Sequence, residues 1–532
     1  MRAGACALAT LLLLAGGVAQ GAAPFAPTDR GDALVVAAIG EPTTLVPILA
    51  ADSASADICG LVFNGLLKYS PSLELVGDLA ERWELRDRGA TILFHLRRNV
   101  RWHDGTPFTA EDVRFTYQAL INPEVRTPYR GDFERVRALE VLDPWTVRVR
   151  YDAPFAPGLA SWTMWIMPAH CLEHQDLHAT PFARHPVGTG PFQFRRWLSA
   201  DRLELTANPD YYAGAPALQT WIERIIPDPS TIFLELQTEG VDLTGLTPLQ
   251  YQRQTGSPFF QTHYQRFRYP SLGYTYLGYN LQLPMFRDPR VRQALNLAIN
   301  KPALIQGALL GLGRVATGPF LPGSWASDPT VQPAPYDPAR AKALLAEAGW
   351  TDHDGDGWLD RDGQPLTFTI LTNQNQPREL TAQIIQRQLQ EIGVRVQIRV
   401  LEWSSLLANF IHPRRFEAIL LGWGLSPEPD PYDIWHSSKT RPGEFNFIGY
   451  ANPTVDRLLE AGRRTVAIPA RAALYHQVHR ILAEDQPYCF LYVPEALPIV
   501  HARVQNVQPA PAGITHNVAE WFVPRRAHRY AL

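Results

Sequence analysis

The chain has 532 residues, with 49 Lys and Arg against 52 Asp and Glu and a formal net charge of −3. That length exceeds one ordinary core and calls for about two to four domains. Hydrophobic residues at 46% and charged residues at 19% exclude disorder as the main state. The near-neutral balance gives no basic field for nucleic acid, which is not expected as a partner.

At the N-terminus, Arg2 precedes an apolar run from Ala5 to Ala15, and small residues follow at Gly16, Gly17 and Ala19. This is the pattern of a secretory signal over residues 1–22, with cleavage expected between Ala19 and Ala23. Cys6 lies before the apolar run, where a lipid-modified cysteine would have to follow it, so no lipid anchor is expected. No later stretch of about 18 apolar residues is present to span a membrane. Removing the signal leaves Cys59, Cys171 and Cys489, enough for at most one bridge. Cys489 sits in PYCFLYVP, which reads as a buried strand carrying a buried thiol.

Past the signal, GDALVVAAIG is a β-rich run, and TILFHLRRNVRWH at 91–103 alternates enough to predict strands. A helix follows in DGTPFTAEDVRFTYQAL, with Thr109 as N-cap and Asp112 at the third helical position. WTVRVRYD at 145–152 reads as a half-buried strand, and RLELTANPDYY as a strand stopped by an Asn-Pro turn. PRVRQALNLAINK at 289–301 predicts one helix, and DPARAKALLAEAG a second that buries Ala341, Leu344, Leu345 and Ala348 and stops at Gly349. LTFTILT, RELTAQIIQRQLQEIG and VRVQIRVLEW form a β-α-β unit, and FEAILLGW adds another buried strand. Strands alternating with helices argue for an α/β fold with parallel or mixed sheets.

Three motifs invite chemistry. His103 and Asp104 in WHDGTPF could pair as a base and its carboxylate. Adjacent residues on an extended chain face opposite ways, however, so the motif reads as a turn, and no GxSxG, HExxH or phosphate loop supports an enzyme. His170, His174 and His178 would share a helix face beside Cys171, a spacing that suits a metal; solvated surface histidines are the plainer reading. In TDHDGDGWLDRDG, Asp352, Asp354, Asp356 and Asp360 hold the first, third, fifth and ninth positions of an EF-hand-type loop. Gly363 stands where a bidentate Glu belongs, so either a weak structural calcium site or a bare acidic loop is expected.

The run LAERWE…TILFHLRRNVRWHDGTPFTAEDVRFTYQAL at 79–120 resembles the signature of the extracellular solute-binding proteins that serve peptide and nickel ABC importers. GTGPF at 188–192, NPDYY at 208–212, YLGYNLQLPMFRDPRVRQALNLAINK at 276–301, YDPARAKALLAEAGW at 336–350 and LGWG…PDPYDIW at 421–435 match the same family in order. The resemblance implies a two-lobed, periplasmic-binding-protein-like (type II) α/β clamshell with an extra domain inserted in the first lobe. Carried over by order, lobe I takes 31–70, 182–277 and 489–526, the insertion 71–181, and lobe II 278–488. The crossings would then fall near 275–280 and 489–494. It further implies a periplasmic, monomeric, non-catalytic receptor that requires no cofactor. Such a receptor binds an oligopeptide-like ligand between its lobes and hands it to ABC permease subunits. A nickel chelate, an oligosaccharide or another modified small molecule is the alternative ligand, and a secreted hydrolase the alternative class.

The resemblance places Gly422, Trp423 and Gly424 at a strand edge offering main-chain groups to a peptide, with Trp403 as a pocket wall. Core packing is the alternative role for the two tryptophans. Peptide binders commonly read GWxADYxxP here, with the Asp pairing the peptide's α-amino group. This chain reads GWGLSPEPDPYDIW, so Ser426 takes that place. Asp430 is the first candidate to substitute and Glu428 the second, with solvated loop carboxylates as the alternative.

Overall fold

A computed structural model describes residue 26 and residues 29–530; the expected signal and Cys6 lie outside the described residues. Two seven-stranded sheets dominate. The first orders its strands 264–266, 498–501, 243–245, 31–38, 218–225, 202–207 and 192–198. The second runs 269–270, 488–496, 273–279, 418–424, 367–373 and 395–401, with 313–315 paired to the side of 488–496. A four-stranded antiparallel sheet, 80–86, 91–96, 146–151 and 136–143, stands apart from both. Its core is nevertheless continuous with the first sheet: one apolar cluster joins Leu34, Leu203 and Leu205 to Ile92, Phe94 and Val149.

The local signals explain most elements. The Thr109 side chain accepts from the helix's first turn while Asp112 accepts from the Thr109 N–H, so the capping box forms and the helix Ala110–Ile121 starts there. Asp337 caps Pro338–Glu347, whose Ala341, Leu344 and Leu345 are buried, and Gly349 takes the left-handed conformation just beyond it (φ +85°). The β-α-β unit forms with Thr367–Asn373 and Arg395–Leu401 parallel in register and Gln376–Gln390 as the crossover. Cys59, Cys171 and Cys489 are free thiols, with Cys59 and Cys489 buried.

Three expectations change. Only Thr91–Leu96 of residues 91–103 is strand; beyond it Trp102 N–H bonds back to Thr106 O, closing a turn. The segment 289–301 is not one helix, because the Asn300 side chain accepts from Ala303 N–H and begins a new helix, Lys301–Leu309, after Pro289–Leu297. The crossings also move. Tyr488–Ala496 pairs wholly within the second sheet and the first sheet resumes at Pro498, so that crossing is Leu497 rather than 489–494. Gly273–Tyr279 is likewise a second-sheet strand, which puts the other crossing at 267–268 instead of 275–280. The apolar runs CFLYVP and TYLGYN are apolar because they are central strands of the second sheet.

Candidate ligand cleft

In the second sheet, strand 367–373 lies between 395–401 and 418–424. Its own crossover goes to 395–401, and the chain then returns to the opposite side to form 418–424. Connections that leave in opposite directions open a crevice beyond the carboxyl ends of the two parallel strands, the place where α/β sheets hold ligands. The pairing shows that crevice directly. Strand 418–424 is laddered to 273–279 along its whole length, but to 367–373 only at Ala418 and Ile419. Main-chain groups of Leu421–Gly424 therefore have one edge with no strand against it.

That edge borders a cavity of about 2660 Å³ between the sheets, whose lining includes Trp403, Gly422, Trp423, Gly424, Ser426, Glu428 and Asp430. The cavity is several times the ~300–1,000 Å³ of an ordinary small-molecule pocket. Gly422 packs tightly: a Cβ there would come within 2.9 Å of Arg378 Nη2 and 3.1 Å of the Tyr274 carbonyl. Trp423 lines the cavity while stacking on Phe447 (5.6 Å) and meeting Phe445 edge-on (5.1 Å), so it is both wall and core. Trp403 reaches across the cleft, its Nε1–H directed at Asp52 Oδ1 (3.3 Å).

The lobes also meet elsewhere. Tyr69 OH and Ser426 Oγ lie 3.4 Å apart. Arg463, buried on helix Pro453–Arg464, donates to the Gly131 carbonyl (2.7 Å) and to Asp132 Oδ1 (2.7 Å) across the gap. On its own side it donates to Asp430 Oδ2 (2.7 Å). The arrangement is a closed one.

This corrects the expectation for Asp430. Its carboxylate already carries the Arg463 guanidinium, and Glu428 is paired with Arg471 (2.9 Å), so neither is free for a ligand amine. The three prolines turn both side chains inward, but toward arginines of the neighbouring helices. The Ser426 hydroxyl is turned toward Tyr69 of the other lobe.

Over residues 74–444 the sequence matches the bacterial extracellular solute-binding proteins, family 5 Middle. It is 33% identical over 510 residues to the oligopeptide-binding protein AppA of Bacillus subtilis (strain 168), covering 94% of this chain and 93% of that protein. The chain belongs to this solute-binding family. The solved structure of Bacillus subtilis AppA with a nonapeptide superposes with a TM-score of 0.89 at 31% identity, covering 93% and 99% of the two chains. NikZ of Campylobacter jejuni in complex with Ni(L-His) gives 0.84 at 27% identity, covering 93% and 100%. The type II two-lobed fold is common to these neighbours and this solute-binding chain.

Of the remaining sequence candidates, His178 lines the cavity at its edge and the others do not. His103 is a clamp: its Nδ1 accepts from Gly188 N–H (3.1 Å) and its Nε2–H donates to the Gly190 carbonyl (3.0 Å). Burial lowers its pKa to about 4, which keeps the ring neutral. His170 bonds Asp104 (2.7 Å) and His178 accepts from Arg126 N–H (3.0 Å); the helix beneath them is only Ala169–Leu172, so the three histidines share no helical face. Carboxylate oxygens of Asp352, Asp354 and Asp356 converge within 4.8 Å, whereas Asp360 is drawn to His353 (3.0 Å) and stands outside that group.

Among the charged residues lining the cavity that sequence reasoning missed are Asp57, Glu223 and Arg378. Arg378 donates to Asn373 Oδ1 (2.8 Å) and has no carboxylate partner among the described residues; burial lowers its pKa. The signal for Glu223 was present in LQTWIERI, where strand alternation puts a carboxylate on the same face as Trp221.

Proposed function

We propose that this protein is the exported substrate-binding component of an ABC importer. It takes an oligopeptide-like ligand between its lobes in the periplasm and delivers it, as a monomer, to membrane permease subunits. It works by binding and closing, not by catalysis. The observation that carries this reading is the unladdered edge of Leu421–Gly424 beside a cavity of about 2660 Å³. A main chain added along that edge gains hydrogen bonds that do not depend on side chains, while the large cavity accommodates varied ones. AppA and its nonapeptide complex, at 33% and 31% identity, support a peptide as the ligand class. Arg378 stands beside Gly422 with no carboxylate partner among the described residues, suited to a ligand carboxylate.

The test is mass spectrometry of whatever is released when freshly purified protein is denatured. Peptides are the expected finding, and calorimetry with the released peptides should show saturable binding to refolded protein. Release of a nickel chelate or an oligosaccharide, with no response to peptides, would replace the peptide reading while keeping the receptor.

A further inference from the structure

Several of the charged residues that line the cavity already have a partner. Lys68 is bridged to Asp78, Glu428 to Arg471, and Asp430 to Arg463. Asp52 accepts from Thr43 Oγ1 (2.6 Å), Ser55 Oγ (2.6 Å) and Trp403 Nε1, so its charge is held by donors. Asp57 and Glu223 have no salt bridge among the described residues, the Trp221 indole beside Glu223 brings no charge, and both carboxylates line the cavity from the first lobe.

Glu223 is the sharper observation. It is only 4% exposed, in the middle of a central strand of the first sheet, with its carboxylate on the cavity side. Arg224, the next residue, points to the other face and pairs with Glu235 (2.8 Å). Asp57 opens onto the same cavity from the helix Ser53–Val62. A buried carboxylate with no cation beside it costs several kcal/mol, and the sequence could relieve it with Gln at no change of shape. Burial raises the Glu223 pKa to about 8, with the Asp57 charge adding to it, and burial with Asp52 raises Asp57 to about 6. The other titratable neighbours reinforce this setting: Cys59 on the same helix has its thiol pKa raised by burial, and His412 across the cleft is held neutral by burial. No cation among the described residues answers the pair.

We propose that Asp57 and Glu223 form an acidic subsite of the cleft that receives a cationic group of the ligand, an alkylammonium or guanidinium. The inference rests on the peptide-receptor reading and narrows its substrate class. Two sources present that chemistry, the peptide's own α-ammonium or the side chain of a lysine or arginine. In either case the subsite takes over the role that neither Asp430 nor Glu428 is free to fill. A cation favours the ionised carboxylates, so binding releases protons near neutral pH and tightens as pH rises from about 6 to about 8.

The experiment uses the full mature chain, stripped of ligand by denaturation and refolded. It is incubated with two pools of random peptides, one with free and one with acetylated N-termini, each holding lysine and norleucine in equal amounts. Bound peptides are recovered by size exclusion and identified by mass spectrometry. The wild type is expected to favour lysine over norleucine if the side chain is the cation, or the free over the acetylated pool if the α-ammonium is. The preference should be about tenfold or more, and Asp57→Asn, Glu223→Gln protein should lose it while still binding uncharged peptides. Asp57→Asn alone is the second variant, expected to show a reduced preference in a surface-accessible substitution that leaves the strand core intact. Peptides retained by the wild type with no charge preference in either pool overturn the subsite and leave the receptor reading standing. No peptide retained from either pool overturns the receptor reading and the subsite with it.

Discussion

The two walls of the cleft handle charge in opposite ways. On the second-lobe wall, Glu428, Asp430 and Asp433 each face a cation, at 2.9 Å from Arg471, 2.7 Å from Arg463 and 3.5 Å from Lys439. On the first-lobe wall, Asp57 and Glu223 line the same cavity with no cation opposite them among the described residues. A dense acidic motif in a loop is therefore no guide to where a ligand's charge goes. In this chain the loop carboxylates are held by cations of their own lobe, one of which, Arg463, reaches across to Asp132, while the carboxylates open to a ligand come from a helix and a central strand.

The largest effect should come from breaking the second wall. Arg463→Ala leaves Asp430, Asp433 and Asp132 without their shared guanidinium, a loss of about 3–5 kcal/mol for a buried pair. Because Asp132 lies on the other side of the gap, much of that loss falls on the closed state. Calorimetry should show ligand affinity lowered by about a hundredfold or more.

Glu223→Gln tests the first wall in the opposite direction. The folded pKa of about 8 lies above the ordinary 4.5, so Glu223 withholds stability progressively as pH rises from about 4.5 to about 8. At pH 7 the ligand-free variant should be more stable in urea titrations by about 3 kcal/mol, and the gain should vanish near pH 4. A variant no more stable than wild type at pH 7 would mean the carboxylate is already answered.

His103 sets how firmly the turn at 102–106 is tied to the GTGPF loop behind that wall. Its folded pKa of about 4 lies below the ordinary 6.5, so the unfolded chain takes up a proton that the clamp refuses. Stability should fall as pH drops from about 6.5 to about 4, by about 2 kcal/mol at pH 5. His103→Gln should be less stable at pH 7 and lose that acid dependence, read by paired urea titrations at the two pH values.

The smallest expected effect sharpens the contrast. N-acetylating a bound peptide should cost the same in Asp430→Asn protein as in wild type, within about twofold, even where the variant binds more weakly overall. A penalty that disappears in the variant would return the amine to the second wall.

The elements were legible where local chemistry decides them. Thr109 with Asp112, Asp337 before Pro338, and the alternation in TVRVRY each specify a cap or a strand from a few neighbouring residues. The helix expected over 289–301 failed at Asn300, a residue that can continue a helix or cap the next one; Pro302 tips it toward capping. The strand edge at Gly422–Gly424 was found through the resemblance, since three residues with two glycines carry no physical signal of an unladdered edge. Asp430 and Glu428 were legible as candidates to turn inward, with solvated loop carboxylates the alternative, but their partners lie 33 and 43 residues further along the chain, on helices whose facing cannot be read from the loop. Glu223 was hidden for the converse reason: its meaning depends on what is absent around it.

The two crossings between the lobes act as one mechanical unit. Residues 267–268 and Leu497 are neighbours: Phe267 N–H donates to the Pro498 carbonyl, Tyr269 pairs with Ala496, and Arg268 bridges Glu495. Two crossings bonded to each other bend together and cannot slide past one another, so the lobes retain essentially one soft coordinate, rotation about a line through that pair. Points near the line barely travel while the Arg463 side swings widely. A longer or bulkier cargo is then met by a change of opening angle and of the water it displaces, with the register between the walls preserved.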